Sequence, residues 1–257
     1  MTRPLSSPPR PAVAVVGLGL VGGSLARALR RAGYHVIGVD RPAVLARARR
    51  ARAISASAPL PEAARAADIV VLAAPPDTNL RLLRAIAALV SPGTWITDVG
   101  SVKGPLLAEA RRLRLPNFVG GHPMAGAEKA GFAASRPDLF SGCRWILTPA
   151  RGGRVPPVVR RLVRDVGARP VVLSAHDHDR VVAFLSHVPQ IVAWALVAAA
   201  RGDAVARRHL DLAGSGYRDM TRLSGSARPL WRQILGQNGA AVSRALRALR
   251  KELTRPV

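Results

Sequence analysis

Apolar residues in this chain come in short, nearly unbroken runs at 13–16, 35–39, 69–73, 95–99, 117–120, 144–148 and 170–173. Runs of that length, rich in Val and Ile, predict strands covered on both faces. Helical spacing dominates between them, over 22–32, 41–52, 80–90 and 156–166. Strands alternating with helices predict an α/β domain on a doubly wound, mostly parallel sheet, assigned to residues 12–173. After it the strand signal stops. A long apolar helix is expected over 179–200, bent or interrupted at Pro189, followed by helices at 205–212, 229–235 and 237–253. Gly214, Gly216 and Gly225 are expected in the loops between them. Residues 174–257 therefore read as an all-helical domain, and residues 1–11, with four prolines, as a flexible tail. The longest nearly uninterrupted apolar stretch, 188–200, falls short of the ~20 residues a bilayer demands, so no membrane span is expected.

The first strand runs straight into Gly17-Leu18-Gly19-Leu20-Val21-Gly22, which opens a helix. In that setting Gly17 allows the tight turn, Gly19 lets the backbone approach a pyrophosphate, and Gly22 allows close helix–strand packing. Exposed N–H groups at the helix start favour phosphate. Asp40 ends the second strand, where a carboxylate can bind both ribose hydroxyls and repel a 2′-phosphate. That favours NAD; Arg41, whose guanidinium could hold a 2′-phosphate, leaves NADP open. Ala74 and Pro75, just past the strand at 69–73, complete the cofactor contacts expected of a Rossmann-type domain.

Composition narrows the partners. The chain has 257 residues, 49% of them hydrophobic, which supports a sizeable core and excludes a wholly disordered chain. Its formal net charge is +24, with 36 arginines and only three lysines, Lys103, Lys129 and Lys251. The arginines are spread along the whole length without interleaved aromatics. That argues against a nucleic-acid surface and for coding bias, with incidental attraction for an anionic small-molecule substrate. One cysteine, Cys143, excludes an intramolecular disulfide and a cysteine-cluster metal site. His176 and His178 flank Asp177 without a supporting cluster of ligands, so they read as a polar domain junction, and no metal is expected.

Three later regions are more polar than packing requires. One is Thr97-Asp98-Val99-Gly100-Ser101-Val102-Lys103. The next is Gly120-Gly121-His122-Pro123-Met124-Ala125-Gly126-Ala127-Glu128. The third is Ser186-His187-Val188-Pro189-Gln190, followed by Gly216-Tyr217-Arg218-Asp219-Met220-Thr221-Arg222. The first two lie at carboxyl ends of strands, where ligands bind in open α/β sheets. In this order, from the fingerprint to Trp231, the motifs resemble those of the prephenate/arogenate dehydrogenase family of tyrosine biosynthesis. Two departures stand out. Gln190 occupies a place where many relatives carry a second histidine. Nothing resembling the small regulatory domain of some members follows residue 257; the sequence leaves feedback by tyrosine open, and any such feedback would have to act at the active site.

The resemblance implies oxidative decarboxylation of prephenate (or arogenate) to 4-hydroxyphenylpyruvate (or tyrosine), with hydride transfer to NAD, in a cytoplasmic homodimer. It implies His122 as the proton acceptor at the ring hydroxyl and Ser101 as the serine that hydrogen-bonds histidine and hydroxyl. It implies Arg222 as the clamp on the ring carboxylate, with Arg218 its nearest competitor, and His187 and Gln190 as substrate contacts. Glu128 would guard the site entrance, and Trp231 would fill the helical core or line the pocket. A dianionic substrate suits the basic chain. Two other readings stay open: a β-hydroxyacid dehydrogenase, disfavoured because Lys251 is the only lysine of the helical part, and a dinucleotide-sensing or nucleic-acid-binding protein. Prephenate and arogenate differ by a keto group against an amine, and the amide of Gln190 could serve either.

Overall fold

The computed structural model describes residues 10–126, 129–150 and 154–255. One sheet carries eight strands: β1 (Ala12–Val16), β2 (His35–Val39), β3 (Ala56–Ser57), β4 (Ile69–Leu72), β5 (Trp95–Asp98), β6 (Phe118–Pro123), β7 (Arg144–Pro149) and β8 (Arg169–Val172). Their order is β3-β2-β1-β4-β5-β6-β7-β8, and every neighbouring pair is parallel except β6 with β7. This is the doubly wound, mostly parallel sheet that the unbroken apolar runs predict. Side chains alternate across it. Val13 and Val15 join Leu25, Leu29, Tyr34 and Trp145 on one face, while Ala14 and Val16 join Leu83, Ile86, Leu106 and Phe118 on the other.

Six helices cover the two faces: α1 (Leu20–Arg31), α2 (Pro42–Arg50), α3 (Leu60–Ala66), α4 (Pro76–Ile86), α5 (Gly104–Arg112) and α6 (Pro157–Asp165). The sequence pattern did not announce α3, α5 or the two-residue edge strand β3. Helix α5 opens on Gly-Pro, which reads as a turn; yet proline suits the first turn of a helix, where its missing N–H has no partner to lose. Strand β6 runs three residues past the expected 117–120. Antiparallel β7 makes this possible by pairing Gly121, His122 and Pro123 with Leu147, Ile146 and Trp145. His122 thereby sits on a strand and not in a loop. Arg10, at the end of the expected tail, pairs with Asp165 and lies 5.0 Å from the centroid of the Tyr34 ring.

Past β8 the structure is helical: α7 (Ala175–Val182), α8 (Val188–Gly202), α9 (Ala204–Arg208), α10 (Ser215–Thr221), α11 (Arg228–Gln237) and α12 (Gly239–Leu253), with 3-10 turns at Leu210–Leu212 and Arg222–Gly225. The long helix is interrupted before Pro189, not at it. A π-helical turn over Ala183–His187 joins α7 to α8, and Pro189 falls in the first turn of α8. In an unbroken α-helix the proline ring would crowd the carbonyl of Leu185, and one wider turn relieves that clash. Because the turn keeps the rod continuous, Ala175–Gly202 spans 28 residues and is long and apolar enough, by length and composition, to cross a bilayer. The run 188–200 alone did not suggest this. Val181, Phe184 and Leu185 on that rod are exposed. Gly216 lies inside α10 rather than in a loop, and 205–212 breaks at His209.

Candidate active site

The glycine-rich turn has the shape a dinucleotide needs. Gly17 has φ +96°, and a Cβ there would lie 2.8 Å from the Ala73 carbonyl oxygen. A Cβ on Gly22 would lie 1.9 Å from the Gly17 carbonyl oxygen, so α1 packs against the turn only because that position is bare. Gly19, the N-cap of α1, faces open space. No side chain caps the helix, and no acidic residue occupies its first turn. Open space in front of uncapped N–H groups fits a pyrophosphate. Asp40 accepts the N–H of Leu18 (2.6 Å) and of Arg41 (2.6 Å), which ties its carboxylate to the loop. Buried Asn79 accepts the N–H of Ala74 at 3.0 Å and so fixes the turn that leads into Pro75. Nothing in the sequence pattern singled out Asn79.

At the carboxyl end of β6, His122 is almost fully buried. Its Nδ1 lies 2.8 Å from Nε2 of His178, and Nδ1 of His178 lies 2.7 Å from Oδ1 of Asp179. Burial, set against the hydrogen bonds of His178 and the Lys103 and Gly104 N–H groups, leaves Asp179 below the usual carboxylate range, hence ionised. An ionised carboxylate only accepts, so His178 carries its proton on Nδ1 and its Nε2 accepts. His122 must then donate from Nδ1, which leaves the lone pair on Nε2. Burial first, then the charges of His178, Lys103 and His187, hold His122 well below the ordinary imidazole range. The ring is a neutral proton acceptor at pH 7. His178 was expected at a polar domain junction, and from α7 it does reach across to the sheet, where its partner is His122. The sequence signal was present in the His-Asp pair, but adjacency along the chain hid the contact with His122.

Gly120 and Gly121 serve packing rather than ligand approach. A Cβ on Gly120 would lie 2.2 Å from Thr148 Oγ1, and one on Gly121 would lie 2.3 Å from the Asp98 carbonyl oxygen. Beside them, Lys103 and Asp98 form a fully buried ion pair. Ser101 is half-buried in the turn between β5 and α5.

The helical part contributes His187, at the end of the π turn and fully buried. Asn238 Nδ2 donates to the Asp179 carbonyl oxygen at 2.8 Å, which settles its amide orientation, and lies 3.2 Å from His187 Nδ1. That nitrogen is therefore the acceptor, and His187 holds its proton on Nε2, a buried donor with no partner among the described residues. Burial pushes its pKa down to about 4. Gln190 Nε2 donates to the Leu223 carbonyl oxygen (2.7 Å), while its buried Oε1 has no partner among the described residues. Trp194 Nε1 donates to the Ser224 carbonyl oxygen (3.0 Å). Together they hold the 3-10 turn that Arg222 opens. Arg218, the competing arginine, is engaged with the Ala213 carbonyl oxygen at 2.5 Å. Trp231 is half-buried, edge-on to both His187 and Trp194. Glu128 lies outside the described residues.

The site therefore offers a neutral imidazole backed by a second imidazole and a carboxylate, with one orphaned donor and one orphaned acceptor on the helical side among the described residues. Comparison with known proteins gives the family. A family model described as "Prephenate dehydrogenase, nucleotide-binding domain" matches residues 25–172, and one described as "Prephenate dehydrogenase, dimerization domain" matches residues 174–256. The prephenate dehydrogenase of Lactococcus lactis subsp. cremoris is 32% identical over 250 residues, covering 94% of this chain and 69% of that protein. The chain spans roughly two thirds of the length of the first three curated relatives it matches. Among solved structures, prephenate dehydrogenase from A. aeolicus, in complex with hydroxyphenyl propionate and NAD+, has a TM-score of 0.86 at 31% identity, covering 98% of this chain and 90% of that one. Synechocystis arogenate dehydrogenase has a TM-score of 0.81 at 31% identity, covering 94% and 89%. Matched in order by both domain models over nearly its whole length, the chain belongs to the prephenate dehydrogenase family.

Proposed function

We propose that this chain catalyses the oxidative decarboxylation of prephenate or arogenate, giving 4-hydroxyphenylpyruvate or tyrosine, as a cytoplasmic homodimer that uses NAD. The observation that carries the reading is the buried chain His122–His178–Asp179, which presents a bare imidazole nitrogen at the carboxyl end of the sheet. Residues 12–173 hold the nucleotide, and residues 174–257 close over the substrate and pair the subunits.

The turn from Gly17 to Gly22, Asp40 and the Ala74-Pro75 corner would hold the dinucleotide, which supplies the hydride acceptor when bound. A carboxylate at Asp40 disfavours a 2′-phosphate. His122 takes the hydroxyl proton at Nε2, with Ser101 aligning that hydroxyl. As the ring gains charge, its Nδ1–H is held by His178, and Asp179 supplies the balancing negative charge without itself taking the proton. His187 Nε2–H meets a substrate oxygen. Arg222 pairs with the ring carboxylate until aromatisation expels carbon dioxide. The free end of Gln190 is an acceptor, which suits an amine better than a keto oxygen and favours arogenate of the two.

The dimer is supported by the family's dimerization-domain match and by an apolar cavity of about 870 Å³, lined by Phe184, Val188, Val192, Met220, Leu223 and Leu249. A single cysteine suits a reducing compartment. The deciding assay mixes purified chain with NAD or NADP and each substrate, and follows nicotinamide absorbance. Reduction with NAD and at least one of the two substrates is expected; none with either would remove the assignment.

A further inference from the structure

We propose that Lys103 is a positioning residue that fastens both ends of the His122–His178–Asp179 chain. Its side chain and that of Asp98 have no exposed surface. Lys103 Nζ donates to Asp98 Oδ2 and, at 2.6 Å, to the Gly121 carbonyl oxygen. Asp98 Oδ1 accepts the Gly121 N–H at 3.0 Å. The ion pair therefore grips both polar backbone groups of the residue immediately before His122. At the far end, the backbone N–H of Lys103 donates to Asp179 Oδ1 at 2.8 Å, the oxygen that His178 also contacts. The N–H of Gly104 takes Oδ2 at 2.8 Å. One residue thus bonds to the peptide beside the base and to the carboxylate that ends the chain.

Packing alone does not account for such a lysine. A buried ion pair is commonly no more stable than apolar side chains of the same volume, so its presence points to a positional or electrostatic duty. Burial pulls the ammonium pKa down, and Asp98 and Asp179 oppose that. The titratable and charged groups around His122 are Lys103 and Asp98 from the sheet side, His178 and Asp179 from α7, and His187 from the π turn. Among them the Lys103 cation adds to the effect of burial in disfavouring a positive charge on His122.

The inference rests on His122 as proton acceptor, so its test includes a readout that needs no turnover. The double variant Lys103→Met/Asp98→Asn removes the pair without stranding a buried carboxylate. Imidazole NMR, assigned with His122→Asn, should show the His122 midpoint rising by about one pH unit. In the same protein kcat should fall on the order of tenfold, with the acidic limb of kcat/KM displaced to higher pH and KM and NAD affinity within about twofold. A folded double variant with the parent midpoint and kcat overturns the proposal. A shifted midpoint in a protein that turns over neither substrate, parent included, keeps the tether but removes the reaction assigned above. If the double variant does not fold, Asp98→Asn alone decides: it leaves the amine on Gly121 but discharges it, so the midpoint must still rise, and an unmoved midpoint counts against the proposal.

Discussion

His122 and His178 share one hydrogen bond, Nδ1 to Nε2 at 2.8 Å, although 56 residues separate them in the chain. The bond crosses from strand β6 to helix α7 and leaves the lone pair of His122 on Nε2.

Removing that ring removes the base. His122→Asn should lower kcat by about 10²- to 10⁴-fold, the usual range for a general base, while leaving NAD affinity unchanged. Steady-state kinetics with a parallel nucleotide titration checks both; surviving turnover would show that another group takes the proton.

Removing the ring behind it should act on rate and not on binding. His178→Gln keeps a polar side chain but breaks the link to Asp179, and a fall in kcat of about 10²-fold with KM nearly constant is expected. A KM effect without a kcat effect would recast His178 as packing.

Acid should loosen the fold through these same rings. His187 is held near 4 by burial, whereas an unfolded imidazole titrates near ~6.5. Between those values the unfolded chain binds the extra proton, so stability falls as pH drops through that window, by about 3 kcal/mol for His187 alone. Denaturant melts at pH 7, 5.5 and 4.5 measure the slope. His187→Gln should flatten it, and an unchanged slope would place the acid sensitivity elsewhere.

Much of this was legible in the chain and some was not. The alternation of unbroken apolar runs with helices gave the sheet, because strands buried on both faces leave no other pattern. The fingerprint from Gly17 to Gly22 was legible because each glycine answers a steric demand. His178 was placed at a polar domain junction, but its partner His122 was not legible, because a contact across a domain boundary leaves no periodic trace. The break in the long helix was placed at Pro189, where sterics are written in the residue type; the chain relieves them one turn earlier. Asn79 and Asn238 were invisible for a simpler reason. Their work is to satisfy backbone and ring atoms that come together only after folding.

Arg222 should matter for binding. Arg222→Lys keeps the charge but loses the fork of donors, and kcat/KM is expected to fall on the order of 10-fold, chiefly through KM. A variant matching the parent would move the carboxylate clamp to another residue.

Substrate choice should move with Gln190. If its lone acceptor meets an amine, kcat/KM for arogenate exceeds that for prephenate, and Gln190→His narrows the ratio. The opposite ranking in the parent would assign that acceptor to packing.

Asp179 belongs to α7, yet both of its carboxylate oxygens are spent on the first N–H groups around α5. The chain from His122 to Asp179 therefore crosses the seam between the two lobes and needs both in place. Mild denaturant that parts the lobes should silence the enzyme before circular dichroism changes, and separately produced halves should regain turnover only when they reassociate.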